Sequence, residues 1–396
     1  MVMPWYNIRI FAGNLRRILH LIRMLRRAGV EVYVLEAVPY TSFRESIRLV
    51  QGINVNDVKP NVHIYVNNYV IEDRGRVSIY VVKAYLLLRL FLRFLRYWRL
   101  LRGVDLVHVP DSSVEFVVLS YIISRLLNRR LVITFQLVPR YLKEVVIIKG
   151  IGLFRSALRH YLYVKGEGVI TALAKSLALW LYVNVVRRAF AIVLNRYDYE
   201  VLTRKYGVRA FLSWNGIHRP YVVSHYFDRY RVMYIGRDER KGLKDILFII
   251  PIIIGKKPNV NFVLIGVNAN LPSVVSYRFV SESMKWSLLC SSGLFVLPTY
   301  HEAFPLSIAE ALSCGLPVIT YDLPELKPIY GDCKSVLFVK KGDTHALVNA
   351  IIRLLEIGDE DYMRLREDAI KCGNRFDWIN VTKRELEIYR EILIHG

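Results

Sequence analysis

Apolar positions along this chain come in two rhythms. Short continuous runs rich in Val, Ile and Phe occur as "EVYVLE" at 31–36, "DLVHVP" at 105–110, "RLVITF" at 130–135 and "AFAIVL" at 189–194. Between them lie longer stretches whose apolar residues recur every three or four positions, which predict helices near 14–28 and 79–102. The second half repeats the scheme with "RVMYIG" at 231–236, "NFVLIG" at 261–266, "LFVLP" at 294–298, "PVITY" at 317–321 and "SVLFV" at 335–339. Continuous rather than alternating apolar strands belong to parallel sheets covered on both faces. The pattern therefore predicts two doubly wound α/β domains. The seam falls near 217–230, "IHRPYVVSHYFDRY", which carries a proline and follows the turn signal "WNG". The expected domains are 1–218 and 219–377, with a closing helix over about 378–396 that packs back on the first.

Composition sharpens this. A length of 396 residues suits two or three domains, and 54% apolar content fills more than one core. There is no run of about 20 uncharged apolar residues. The nearest candidate, "GVITALAKSLALWLYVNVV" at 168–186, contains Lys175 and Asn184 and reads as a long buried or surface helix. The opening "MVMPWY" lacks a leader signature, and the very short first strand reads as a trimmed or misassigned start. Cys290, Cys314, Cys333 and Cys372 form no CxxC pair and have no histidine cluster, so reduced thiols are expected rather than zinc or disulfides. Glutamine occurs only at Gln51 and Gln136 among many charges, a composition that leans towards a thermophile.

The net charge of +22 is uneven. Residues 1–218 hold 33 Lys+Arg against 13 Asp+Glu, a net of +20, while the remainder holds 23 against 21. The first half is therefore suited to something anionic: nucleic acid, acidic lipid or a phosphorylated substrate.

The chemistry concentrates in "HEAFPLSIAEALSCGLPVI", 301–319. Glu302 stands in the loop after a strand, Pro305 suits a helix's first turn, and Gly315 and Pro317 end that helix. Ligands of open α/β sheets bind outside the carboxyl ends of strands, and a helix start there suits phosphate. Glu310, over one turn into the helix, can accept hydrogen bonds from a ribose. A second cluster, "YIGRDERKGL" at 234–243, puts Arg237 and Lys241 at another strand end, where cations meet diphosphate. Each feature alone is an ordinary charged turn or solvated helix residue; together they describe a nucleotide-diphosphate cleft.

These segments resemble the retaining glycosyltransferases of the GT-B fold, sequence family four. The hallmark E-x7-E reads "EAFPLSIAEALSCGLPVI", and the strand-G-R…K-G element reads "IGRDERKG", one residue shorter than in the family. "YDYEVLTRKYGVRAFLSWNGIH" resembles the stretch that ends in N-G-V-D, and the first 36 residues resemble the first strand, loop and helix. "LPELKPIYGD" and "GDTHALVNAIIRLLE" match the region after the hallmark, so the resemblance covers nearly the whole chain.

The resemblance implies two Rossmann-like domains facing across a cleft and transfer of a sugar from a nucleotide-diphosphate sugar without a metal. It implies that Glu302, Arg237 and Lys241 serve the reacting sugar and leaving diphosphate. Glu310 would hold the ribose; Gly13, Gly236, Phe304, Pro305 and Leu306 would shape the phosphate site. On the acceptor side it points to Gln136, Asp111 and Arg16. Gln136 stands where the family often has a histidine, Ala12-Gly13 replaces a glycine pair, and His218 replaces the aspartate. The chain's D-x-D, Asp359-Glu360-Asp361, reads as acidic residues at a helix start.

The basic half has its own pattern. "YLLLRLFLRFLRYWRLLRG", 85–103, sets Arg89, Arg93, Arg96 and Arg99 against Leu87, Leu90, Phe91, Phe94 and Trp98. The first helix sets Arg16, Arg17, Arg23 and Arg27 against Ile18, Leu21, Ile22 and Leu25. Packing on a sheet with solvated arginines accounts for this, and such a face also suits an anionic membrane surface. The expectation is a cytoplasmic enzyme, peripheral on the inner face of the membrane, with a glycan, lipid-phosphate or other anionic acceptor. Nucleic acid is not expected, because the aromatic residues lie on the apolar side of the basic helices. The rivals are a GT-B nucleotide-sugar epimerase and a non-catalytic basic binding protein.

Overall fold

The computed structural model describes residues 2–3, 12–36, 62–65, 88, 90–110, 112–147, 151–217 and 227–395. The chain divides into two compact units, Met1–Ser213 with Thr382–Gly396, and Trp214–Val381. The seam read from the sequence lies a few residues beyond this division.

In unit 1, β1 (Val2–Met3), β2 (Tyr33–Glu36) and β3 (Val62–Tyr65) pair in parallel in that order. A second parallel sheet runs β4 (Leu106–Val109), β5 (Arg130–Phe135), β6 (Phe190–Val193) and β7 (Arg209–Leu212). Its two faces bury alternate residues. Leu131, Ile133, Phe135, Ala191 and Val193 belong to one core, with α2 (Trp98–Leu101), α3 (Val114–Leu126) and α4 (Val169–Arg187) contributing to it. Val132, Phe190 and Ile192 face the other core, with α1 (Ala12–Arg27) and the end of the last helix. Burial on both faces explains why β5 and β6 carry near-continuous apolar runs instead of alternating ones.

The last helix, Trp378–His395, starts in unit 2 and ends in unit 1, where Ile388, Tyr389 and Ile392 pack against Ile18, Leu21, Ile22 and Leu25. A polar seam runs through this contact. Arg17, expected among the solvated arginines of the first helix, is instead 2% exposed and ion-paired with the fully buried Glu385. The pairing offsets the cost of burying either charge alone. Glu385 also accepts hydrogen bonds from Ser213 Oγ at 3.3 Å and from the Tyr389 hydroxyl at 3.2 Å.

Unit 2 holds a six-stranded parallel sheet in the order β10-β9-β8-β11-β12-β13. The strands are β8 (Asp228–Ile235), β9 (Asn261–Ile265), β10 (Val274–Tyr277), β11 (Ser292–Leu297), β12 (Val318–Tyr321) and β13 (Val336–Val339). The chain winds outward from β8 to β10, then returns to β11 and winds the other way. Two strands that the apolar pattern did not reveal, β7 and β10, lie at the edges of their sheets and are only partly buried. An edge strand is covered less and carries a weaker apolar signature.

Candidate active site

The winding reverses between β8 and β11, and the crevice outside the carboxyl ends at such a reversal is where open α/β sheets bind ligands. The loops there are 236–242 and 298–305. They are fastened together closely. Gly242 has φ +74°, and a Cβ on it would lie 2.0 Å from the Pro298 carbonyl oxygen. The Arg240 carbonyl accepts from Tyr300 N–H at 2.7 Å and from Thr299 Oγ1 at 2.9 Å. Asp238 caps the 3₁₀ turn Glu239–Lys241 by accepting from the Lys241 N–H at 3.3 Å.

This fastening carries Lys241 onto Glu302, and the two form an ion pair with side chains 27% and 14% exposed. Arg237 leaves the same loop and stacks its guanidinium 5.2 Å from the Phe279 ring centroid. It has no carboxylate partner among the described residues. Gly236 is required beside it, since a Cβ would meet the Tyr234 hydroxyl at 2.2 Å.

The helix α5 (Leu306–Ser313) follows Pro305 and is terminated past Cys314 by Gly315 at φ +80°. Its first N–H groups have no acceptor within the helix, the usual condition of a helix start, and with the dipole they favour an anion. The Phe304 ring is buried against Tyr330 and Phe376, so its side chain belongs to the core and only its backbone can serve a ligand.

Glu310 lies inside α5, 6% exposed. Its Oε1 accepts from Lys285 Nζ at 2.5 Å, and Lys285, 8% exposed, also lies 3.1 Å from Glu282. Lys285 was not legible in the sequence, because a single lysine in "SESMKWSLL" reads as a solvated helix position. It sits on the helix Glu282–Cys290, whose last residue is disulfide-bonded to Cys314, the C-cap of α5. The expectation of four reduced thiols is therefore corrected. Cys290–Cys314 and Cys333–Cys372 are disulfides, formed by residues 24 and 39 positions apart that only the fold brings together.

Tyr300 and Tyr321 were also missed. Both donate to Asp245 Oδ2, at 2.7 and 2.6 Å. Burial, and then the hydrogen bond and charge of Asp245, raise both phenol pKa values above the ordinary range. They remain neutral donors that hold the loop bearing Glu302.

In unit 1, Gln136 directly follows β5 at its carboxyl end, and its Nε2 is buried without a hydrogen-bond partner. Gly13, expected in a loop, falls in the first turn of α1, and Arg16 lies further along that helix. Asp111, Arg89 and His218 lie outside the described residues. Arg96 and Arg99 are exposed and Arg93 is half-buried, while Leu90 and Phe94 face the core. The same surface also exposes Leu88, Leu92, Leu95 and Leu100, which makes it less polar than the arginine pattern implied. Asp359-Glu360-Asp361 occupy the first turn of a helix, and no metal-binding group of three or more His, Cys, Asp or Glu occurs among the described residues.

A doubly wound parallel sheet whose central loops gather cations and two glutamates around a helix start has the architecture of a GT-B domain. Residues 229–357 match the family model described as glycosyl transferases group 1. A phosphatidyl-myo-inositol mannosyltransferase of Mycobacterium leprae is 23% identical over 252 residues, which cover 57% of this chain and 67% of that protein. An N,N'-diacetylbacillosaminyl-diphospho-undecaprenol alpha-1,3-N-acetylgalactosaminyltransferase of Campylobacter jejuni is 28% identical over 147 residues, 35% of this chain and 39% of the relative. Sucrose-phosphate synthase from Thermosynechococcus elongatus shares the fold with a TM-score of 0.68 at 15% identity, covering 100% of this chain and 99% of that one.

Proposed function

We propose that the protein moves a sugar from a nucleotide-diphosphate sugar to a lipid-linked or membrane-surface acceptor, with retention of anomeric configuration. The observation that carries this reading is the Lys241–Glu302 pair, seated with Glu310 at the reversal of the sheet. Glu310 accepts hydrogen bonds from the ribose hydroxyls. The N–H groups at 304 and 306 and the side chains of Arg237 and Lys241 hold the diphosphate. These cations offset the charge that develops on the leaving phosphate, the role a divalent ion fills elsewhere. Glu302 orients the sugar.

In the reaction, the bond from the anomeric carbon to the phosphate oxygen breaks. The acceptor hydroxyl bonds to the same face of that carbon, and its proton passes to the departing phosphate oxygen. The protein contributes position and charge, not a covalent intermediate.

Unit 1 takes the acceptor. The unpartnered Gln136 amide offers a hydrogen bond to an acceptor hydroxyl, with Arg16 and Asp111 as further candidates. A net +20 over residues 1–218 fits an anionic acceptor, and both relatives carry a lipid in their names. We place the enzyme in the cytoplasm, at the inner face of the membrane. Two disulfides fit that compartment in hyperthermophiles, where intracellular proteins retain them.

The test is incubation with a panel of nucleotide sugars and with phosphatidylinositol or polyprenyl-diphosphate acceptors, with and without a chelator. The configuration of the product is read by NMR. A retained linkage insensitive to chelation is expected. An inverted linkage, or a rearranged sugar released without acceptor, overturns the reading.

A further inference from the structure

We propose a second anion site in unit 1, separate from the donor site, that seats the phosphate of an anionic membrane lipid while α4 lies flat on the bilayer. A cavity of about 600 Å³ is lined by Arg125, Arg129, Arg130, Arg187, Arg188 and Arg209. Arg130 and Arg209 are the first residues of β5 and β7, so the cavity opens at the amino ends of the strands. Gln136 and the expected acceptor face lie at the opposite ends.

None of the six arginines has a carboxylate partner among the described residues. Their contacts are to carbonyls and a ring: Arg187 Nε to the Tyr206 oxygen at 2.5 Å, Arg188 to Asn184 at 3.4 Å, Arg129 to Arg102 at 3.4 Å, Arg130 to Ile392, and Arg209 over the Phe190 ring. Arg125 and Arg187 stand in the last turns of helices, where a cation is favoured anyway. Arg129, Arg130 and Arg209 have no such reason to converge. Guanidinium groups that crowd one cavity without a counter-charge are relieved by a phosphate.

The helix that ends at this cavity says which phosphate. Ile170, Leu173, Leu177, Trp180 and Leu181 of α4 are all exposed. Positions 173, 177, 180, 184 and 188 follow one another along one face, so this apolar stripe runs directly into Arg188. Only 33% of the most apolar window of α4 is buried, although the helix is long and apolar enough to cross a membrane. It does not cross one, because Ala172, Ser176, Leu179, Tyr182, Val183 and Val186 pack its other face into the core of unit 1. An apolar stripe of this length, ending in cations, is the pattern of a helix lying in the plane of an acidic bilayer. A second copy of the chain fits poorly, since it would set two equally cationic surfaces against each other.

The proposal stands apart from the donor-site reading, and nucleotide binding reports on that site independently. The test is flotation of the full chain with phosphatidylcholine vesicles, with and without phosphatidylglycerol. Binding is expected only with phosphatidylglycerol, weakening with salt, and shifting Trp180 emission to the blue. Arg125→Gln with Arg188→Gln should weaken binding roughly 25-fold, about fivefold for each charge near the surface. The matching Arg→Lys pair should restore most of it. Leu177→Ser with Leu181→Ser should weaken binding with the charge unchanged. Melting and nucleotide binding of each variant establish that it is folded. Equal binding to neutral vesicles overturns the proposal, as does indifference to the arginine variants. So does binding of inorganic phosphate without vesicle binding, or a concentration-dependent dimer that buries Trp180.

Discussion

Lys241 from the loop after β8 and Glu302 from the loop after β11 form an ion pair across the point where the six-stranded sheet reverses its winding. In the function proposed above, the pair holds an ammonium group beside the donor diphosphate. Lys241→Met should therefore lower kcat more than it weakens donor binding, by roughly 100- to 1,000-fold, as expected for a group that stabilises developing charge. Steady-state kinetics with the donor, once known, check this. An unchanged kcat would leave Lys241 a purely structural partner of Glu302.

Gly242 is where the two loops approach most closely. Gly242→Ala meets a left-handed backbone, costing about 1–2 kcal/mol, and a carbonyl oxygen 2.0 Å from the new Cβ. The loops must part, which displaces Lys241 from Glu302. Loss of stability and loss of activity are expected together, and urea unfolding alongside kinetics would show it. A variant with wild-type stability and activity would remove the close approach from the argument.

Acid should weaken unit 1 through His108. Its Nε2 lies 2.8 Å from Thr134 Oγ1 and its Nδ1 3.0 Å from the Tyr389 hydroxyl. Burial first, then nearby positive charge including Arg17, lowers its pKa from 6.5 to about 3. Between those values the unfolded chain binds the proton and the folded one does not. The stabilising contribution is therefore whole above pH 6.5 and is lost as pH falls towards about 3, at roughly 1.4 kcal/mol per pH unit. Urea midpoints across this range should fall for the wild type. They should fall less steeply, by about one proton, for His108→Gln.

The two disulfides close loops of 24 and 39 residues. In the chain-entropy account each contributes roughly 3–4 kcal/mol. Reductant should lower Tm markedly, and loss of Cys290–Cys314 should also loosen the helix pair that carries Lys285 and Glu310. Mass spectrometry of the alkylated native protein checks the premise; four free thiols would contradict it.

Much of this was legible in the sequence, and what was not has physical causes. Runs such as "RLVITF" and "NFVLIG" announced central strands because both their faces are buried, so apolar residues run continuously instead of alternating. Edge strands such as "VVSY", half-covered, gave no such signal. The placement of Glu302, Glu310, Arg237 and Lys241 in the loops and helix after β8 and β11 could be read because each sits at a fixed offset from a strand end, a proline or a glycine; their roles belong to the proposal. Lys285 could not, since its burial depends on a helix packing 25 positions away in sequence. Tyr300 and Tyr321 converge on Asp245 in the same hidden way. The cysteines misled for a related reason: their spacing carries no motif, and only the folded helices set them side by side. Arg17 misled because its counter-charge, Glu385, lies 368 positions away.

The most direct test of the donor site is calorimetric titration of nucleoside diphosphates and nucleotide sugars, without metal, into the wild type and Glu310→Ala. A charged hydrogen bond lost from the ribose costs roughly 1.5–3 kcal/mol. One nucleotide should therefore bind the wild type and bind the variant about 10- to 100-fold more weakly. If no nucleotide binds the folded wild type, or if Glu310→Ala binds it equally well, the donor site is not where β8 and β11 part.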